Sequence, residues 1–220
     1  MIQLNELRPS MKQRVYDILS ALNFDMADWS ESLNNKKRSP SSNPKYCYNW
    51  SFIRDDKKVI VLFLWYEDMQ IINGGVYQEH SFKQYSEKQE KGRKKRSLET
   101  DYAIGLAFAK NLPIHVVICQ GNKNTKGVSR RELDQEKWFV TAYDESTGSC
   151  IIERENNYQP FKFTDQFDSN NASYKHEIKR SEYTRSSVIR RKVLLRANGK
   201  CEYCSSDGFI TNSGGKYLET

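Results

Sequence analysis

The apolar positions of this chain change period several times, and each change marks an element. Val15, Ile18, Leu19 and Leu22 recur at helical spacing behind Ser10, a favourable N-cap type, which predicts a helix over residues 11–22 with one face packed inward. Residues 30–44 are rich in Ser, Asn, Lys and Pro and read as an exposed loop. Two strand-like runs follow, residues 46–53 and 58–65, with Arg54-Asp55-Asp56-Lys57 as a hairpin connection. The second run is almost wholly apolar from Val59 to Trp65, so both of its faces should be covered, as in a central strand.

Asn73-Gly74-Gly75 marks a turn, and the charged stretch 78–96 is compatible with a helix or a loop. Ser97 is then placed to cap a helix over 98–110, whose Tyr102, Ile104, Leu106, Ala107 and Phe108 form a broad apolar face and which Pro113 ends. Residues 114–119 form a short buried strand, and 138–143 pair with 150–153 across the turn that ends at Gly148. The order helix, hairpin, helix, strand, hairpin predicts an α+β domain over residues 1–155, mainly an antiparallel sheet with flanking helices. Residues 156–185 are polar, broken by Phe161, Phe163 and Phe167, and read as a linker. A basic helix over 186–197 follows, ended by Asn198-Gly199.

Composition adds partners and compartment. With 37% hydrophobic and 29% charged residues in 220, the chain suits a soluble protein with a sizeable core. No apolar run approaches the roughly 18 residues of a membrane span, and the first residues lack a signal pattern, which predicts no membrane partner and a cytoplasmic location. The net charge is +7, and residues 176–200 hold eight basic side chains against two acidic ones. A second cluster holds Lys88, Lys91, Arg93, Lys94, Lys95 and Arg96 against Glu90. Such clusters suit a polyanion, because Lys and Arg release counterions from nucleic acid phosphates; 88–96 alone reads as readily as a solvated loop.

Cysteine usage separates into two kinds. Cys47, Cys119 and Cys150 lie in apolar or aromatic runs and read as buried free thiols in strands. Cys201 and Cys204 sit among Gly, Lys and polar residues, and a Cys-x-x-Cys gap lets two sulfurs meet one tetrahedral zinc, although the same pair also fits a redox role.

The run from Val188 through Arg190-Arg191-Lys192-Val193-Leu194-Leu195-Arg196-Ala197-Asn198-Gly199-Lys200 to Cys201-Glu202-Tyr203-Cys204, followed by Gly208-Phe209 and Tyr217-Leu218-Glu219, resembles the first half of an HNH (His-Me finger) endonuclease domain. The likeness is closest to the form in restriction enzymes directed at modified cytosine. It implies a structural zinc held in part by Cys201 and Cys204, and a divalent ion such as Mg or Mn beside histidines that come directly after the Tyr-Leu-Glu strand. It also implies that the chain stops partway through this module, at residues 186–220, with Glu219 as the residue able to support the metal. Arg185, Arg190, Arg191, Lys192, Arg196 and Lys200 become the expected contacts to double-stranded DNA, and a homodimer stays open. Segments around Tyr46-Cys47-Tyr48-Asn49-Trp50, 61–65 and 137–148 are similar to those preceding the nuclease module in bacterial HNH proteins.

The aromatic hairpin then raises a question of ligand. Tyr46, Tyr48, Trp50 and Phe52 alternate, which on a strand would set them on one sheet face near Trp65, and such a face serves either as core or as a stacking site for a flipped base. His115 alternates within a buried strand and reads as a core histidine; His80 and His176 lie in polar stretches. Three function classes follow: a DNA-directed endonuclease, a DNA-binding module that does not cut, or a binding domain for some other ligand with its basic segment only a solubilising tail.

Overall fold

A computed structural model describes residues 3–31, 39–72, 75–122, 127–155, 187–210 and 216–217. The chain divides into two compact units, Met1–Tyr158 and Gln159–Thr220. The predicted linker 156–185, with its three phenylalanines and Arg185, lies outside the described residues, as do His176 and Glu219.

In the first unit the elements are α1 (Val15–Ala21), α2 (Pro44–Cys47), β1 (Ser51–Ile53), β2 (Ile60–Trp65), β3 (Gln70–Ile72), β4 (Gly75–Ser81), α3 (Phe82–Glu87), α4 (Lys91–Ala109), β5 (Ile114–Asn122), β6 (Gly127–Asp144) and β7 (Ser149–Arg154). Among the described residues these strands form one seven-stranded sheet in the order β1-β2-β5-β6-β7-β4-β3. The class is α+β, as the pattern predicted, but the sheet is mixed. β2 and β5 run parallel, Leu62 beside Val116 and Leu64 beside Ile118, while every other neighbouring pair is antiparallel. The apolar run in β2 thus occupies an interior position with both faces covered. Ile60, Leu62 and Leu64 join α4's Ala103, Ile104 and Ala107 on one side. Val61 joins Val15, Ile18, Leu19 and Trp29 on the other.

Several boundaries differ from the sequence expectation, each for a local reason. Ser10 does not cap α1: its amide and hydroxyl both donate to Glu132 Oε2, at 2.8 and 2.9 Å, and the helix starts at Val15. Residues 46–53 are not one strand. Asn43 accepts from the Lys45 amide at 3.0 Å and Pro44 occupies the first helical position, so 44–47 form a helical turn and only Ser51–Ile53 pair with β2. Cys47 therefore lies half-buried in α2 rather than in a strand, whereas Cys119 and Cys150 are buried in β5 and β7. Ser97 is no N-cap but a buried residue inside α4, donating to the Phe82 carbonyl at 2.6 Å; the helix begins six residues earlier. The stretch 78–96 resolves into the end of β4, α3 and the start of α4.

The second unit holds α5 (Ser187–Ala197) and the strands β8 (Phe209–Ile210) and β9 (Lys216–Tyr217), which pair antiparallel. Asn198 and Gly199 both take positive φ, 48° and 75°, the left-handed conformation that ends a helix.

Candidate nucleic-acid interface

The carboxy-terminal unit is built around a tight loop that follows α5. The Cys201 amide donates to the Ser206 carbonyl and the Ser205 amide to the Cys201 carbonyl, both at 2.8 Å, while Ser205 adopts φ 58° to close the turn. Lys200 bridges Asp207 antiparallel, and the Gly208 amide reaches the Gly199 carbonyl at 3.0 Å. Cys201 and Cys204 are thus held in one knuckle. The Ser206 hydroxyl, 2.8 Å from Cys204 Sγ, then the Ser206 amide and the Cys201 thiol, hold the Cys204 thiol below its ordinary range. A lowered thiol is the form a metal or an electrophile meets.

These two sulfurs are half of a tetrahedral zinc site. Among the described residues no group of three or more His, Cys, Asp or Glu is placed to hold a metal ion, so the donors present do not fit a complete zinc or divalent-ion site.

The basic residues of α5 occupy different settings. Arg191 is 7% exposed. Arg196 makes a two-pronged bond to Glu202, Nε to Oε1 at 2.5 Å and Nη2 to Oε2 at 2.7 Å. Lys192 and Lys200 are exposed, and Arg190 lies in the same helix. The expected phosphate contacts therefore do not share one environment: a buried guanidinium and a solvent-facing, carboxylate-paired one stand beside two exposed lysines.

In the amino-terminal unit the structure separates the aromatics that the alternating pattern had grouped. Since 46–50 is not a strand, Tyr46 packs toward Trp29 on the α1 side, whereas Trp50 packs against the α4-side core near Tyr85, ring centroids 6.0 Å apart. Trp65 packs on the α1 side, and Tyr48 stands 62% exposed with the Arg96 guanidinium 5.9 Å from its ring centre. They do not form a common cage. A different one exists, a cavity of about 160 Å³ walled by Phe24, Trp29, Tyr46 and Phe52 and bordered by Asp25, Arg54 and Asp55. Trp29 and Tyr46 stack at 4.7 Å with 20° between their planes. Sequence reasoning found Tyr46 but missed Trp29 and Arg54. Trp29 sits in a short 3₁₀ turn at Ala27–Ser30, with no neighbouring apolar period to flag it.

The first unit's histidines are accounted for by packing. His80 stacks on Phe82 at 3.8 Å. His115 is half-buried, with Lys137 Nζ 2.7 Å from Nε2; burial first, then Lys137 and Arg54, push its pKa down to about 4. It is a neutral core-edge imidazole, in line with the sequence expectation. The internal polar anchor of this unit is Asp134, which receives Arg154 at 2.7 and 2.8 Å and Trp138 Nε1 at 2.8 Å.

Comparison of the chain with protein-family models, with curated proteins and with solved structures gave no match. Among the described residues no helix is long and apolar enough to cross a membrane.

Proposed function

We propose that the chain is part of a DNA-directed, restriction-type HNH endonuclease, its first unit recognising double-stranded DNA, modified bases included, and its second unit carrying the zinc-knuckle end of the nuclease module. The observation that carries this reading is the succession in residues 187–217: a basic helix, a turn that draws two cysteines into one loop, and a short antiparallel hairpin. The aromatic cavity supports the recognition half through Tyr46 and Phe52, half-buried rings that line it and on which a planar base can stack, whereas Trp29, 4% exposed and stacked on Tyr46, belongs to the core.

Cys201 and Cys204 would supply two of the four ligands of a structural zinc, and a divalent ion such as Mg or Mn, as the resemblance implies, would neutralise charge at the phosphate. The described side chains contribute binding: Lys192 and Lys200 meet phosphates, and the Arg196–Glu202 pair braces the helix against the knuckle.

Fluorescence anisotropy with a labelled duplex tests the reading. Affinity should fall steeply from low to high salt, and Lys192→Glu with Lys200→Glu should weaken binding to the same degree for unrelated sequences, because phosphate contacts carry no sequence information. Affinity indifferent to salt would remove the DNA reading altogether.

A further inference from the structure

Helix α4 carries a charge distribution that its own stability does not favour. Its first six residues include Lys91, Arg93, Lys94, Lys95 and Arg96, and its first turn has no acidic residue. Cations there oppose the positive end of the helix dipole, and Lys91 and Lys95 repel one another one turn apart. Glu90 at the N-cap offsets this in part, one carboxylate against the five cations that follow. Among the described residues one ion pair lies on this stretch, Lys95 to Glu99 at 3.7 Å, with the lysine side chain 77% exposed.

The helix is nevertheless held firmly in place. Ser97 and Thr100 are buried on its inner face, Ser97 donating to the Phe82 carbonyl at 2.6 Å and Thr100 to the Arg96 carbonyl at 2.8 Å, and Ala103, Ile104 and Ala107 continue that face into the core. Lys91, Lys94, Lys95 and Tyr102 then fall on the opposite side at helical spacing, all exposed. Tyr48, with the Arg96 guanidinium 5.9 Å from its ring centre, adds a ring 62% exposed.

We infer that the outer face of α4, with Lys91, Lys94 and Lys95, is a second docking surface for the phosphate backbone of double-stranded DNA, located on the amino-terminal unit. Charge complementarity selects a polyanion, and three exposed lysines within about one turn of a helix fixed to the core suit the closely spaced phosphates of a duplex. An anionic membrane is the less suitable occupant. A membrane-surface helix buries an apolar face in lipid, whereas the apolar face of α4 is already buried in its own core. The inference deepens the DNA-directed reading and rests on it.

The test compares the full chain with Lys91→Glu/Lys94→Glu/Lys95→Glu and, separately, with Lys192→Glu/Lys200→Glu, on a labelled duplex across a salt series. The first variant should bind about tenfold or more weakly, and its salt slope should shrink by roughly two to three, as expected for that many lost phosphate contacts. Its melting temperature should not fall, since the substitution removes cations from a helix amino-terminus; that separates a binding role from a structural one. Unchanged affinity and slope, while the second variant loses binding, would overturn this surface and leave the DNA-directed reading standing. Failure of the unaltered chain to bind duplex would remove both. Tighter association with phosphatidylserine-rich vesicles than with duplex would replace DNA with a membrane as the occupant.

Discussion

Arg154 grips Asp134 with two hydrogen bonds, Nε to Oδ2 at 2.7 Å and Nη2 to Oδ1 at 2.8 Å, and both side chains are nearly enclosed, 11% and 4% exposed. Burial pushes the Asp134 pKa up, but Arg154, Trp138 Nε1 and the Glu136 amide outweigh it and hold the carboxyl below its usual range. A depressed carboxyl contributes stability that is complete above its unfolded pKa, about 4, and lost as pH falls through the lower folded value. Asp134→Ala leaves a buried guanidinium unpaired and should destabilise the fold by about 3 kcal/mol. Denaturant midpoints at pH 7 check this, and a variant as stable as the parent would show that water compensates Arg154.

His115 works in the opposite sense along the pH axis. Burial, Lys137 and Arg54 lower its folded pKa to about 4, so the unfolded chain binds the extra proton between there and the ordinary value near 6.5. Stability should therefore decline as pH drops across that window, above the range where Asp134 acts. His115→Gln should flatten that part of the stability–pH curve; an unaltered curve would mean that the imidazole is charged in the folded state.

How much of this was legible beforehand depends on whether the signal was local. The run in β2 announced an interior strand because apolar side chains on both faces need two covers, and the structure supplies α1 and α4. The 18-residue β6 was seen only in its apolar second half: its first half is polar, and it is a strand because β5 pairs with it. The parallel β2–β5 pairing had no local mark at all, since strand direction is set by the crossover between them. Ser10 looked like a cap until Glu132, far away in sequence, took both of its donors. For the candidate site, the cysteine pair and basic helix were readable from spacing. The grouping of Trp29 with Tyr46 and Phe52 was not, because it depends on how the loop after α1 folds back.

Asn43 shows how that loop is tied. It is 1% exposed, and its Nδ2 donates to the Trp29 and Glu31 carbonyls at 2.9 and 2.7 Å while its Oδ1 caps α2. Asn43→Ala leaves one buried and one part-buried carbonyl without their donor and removes a cap, and should destabilise by about 2 kcal/mol. It should also raise proteolytic sensitivity around residues 24–46. Unchanged thermal melting and cleavage would mean that Trp29 keeps its place without this anchor.

Gly148 is fixed by a different constraint. It adopts φ +70°, and a Cβ there would lie 2.6 Å from Asp101 Oδ1 and 2.9 Å from the Lys83 amide, as well as against Lys83 Cβ. Gly148→Ala combines left-handed backbone strain with a collision against backbone, and should lower stability by about 2 kcal/mol or more. Calorimetry gives the value; a neutral result would require the β6–β7 turn to re-form in another conformation.

The cysteines should react in an order set by environment, and the order bears on whether the knuckle can gather metal. Burial pushes the Cys119 and Cys150 thiols up to about 12, so iodoacetamide at neutral pH should leave both untouched until the chain unfolds. Cys204 is exposed, its thiol lowered by Ser206 and Cys201, and should be alkylated first. Mass spectrometry of timed samples resolves the sites. Zinc should slow alkylation of Cys201 and Cys204 only weakly, because two sulfurs supply half of a tetrahedral set; strong protection at micromolar zinc would mean that further ligands reach the knuckle.

The last expectation concerns cutting, and it follows from counting groups. Phosphodiester hydrolysis of the proposed type needs a base beside a filled divalent-ion site, and of the chain's three histidines His176 lies outside the described residues, while His80 is stacked on Phe82 and His115 is held at the core edge with its pKa lowered. Neither stands near a carboxylate cluster able to hold a metal among the described residues. Plasmid DNA incubated with these 220 residues and magnesium or manganese should therefore be retarded on a gel at low salt but neither nicked nor linearised. Metal-dependent nicking abolished by a substitution within residues 1–155 would move the active site into the amino-terminal unit. Nicking abolished by Cys201→Ser and Cys204→Ser instead would show that the knuckle completes a working nuclease with groups outside the described residues.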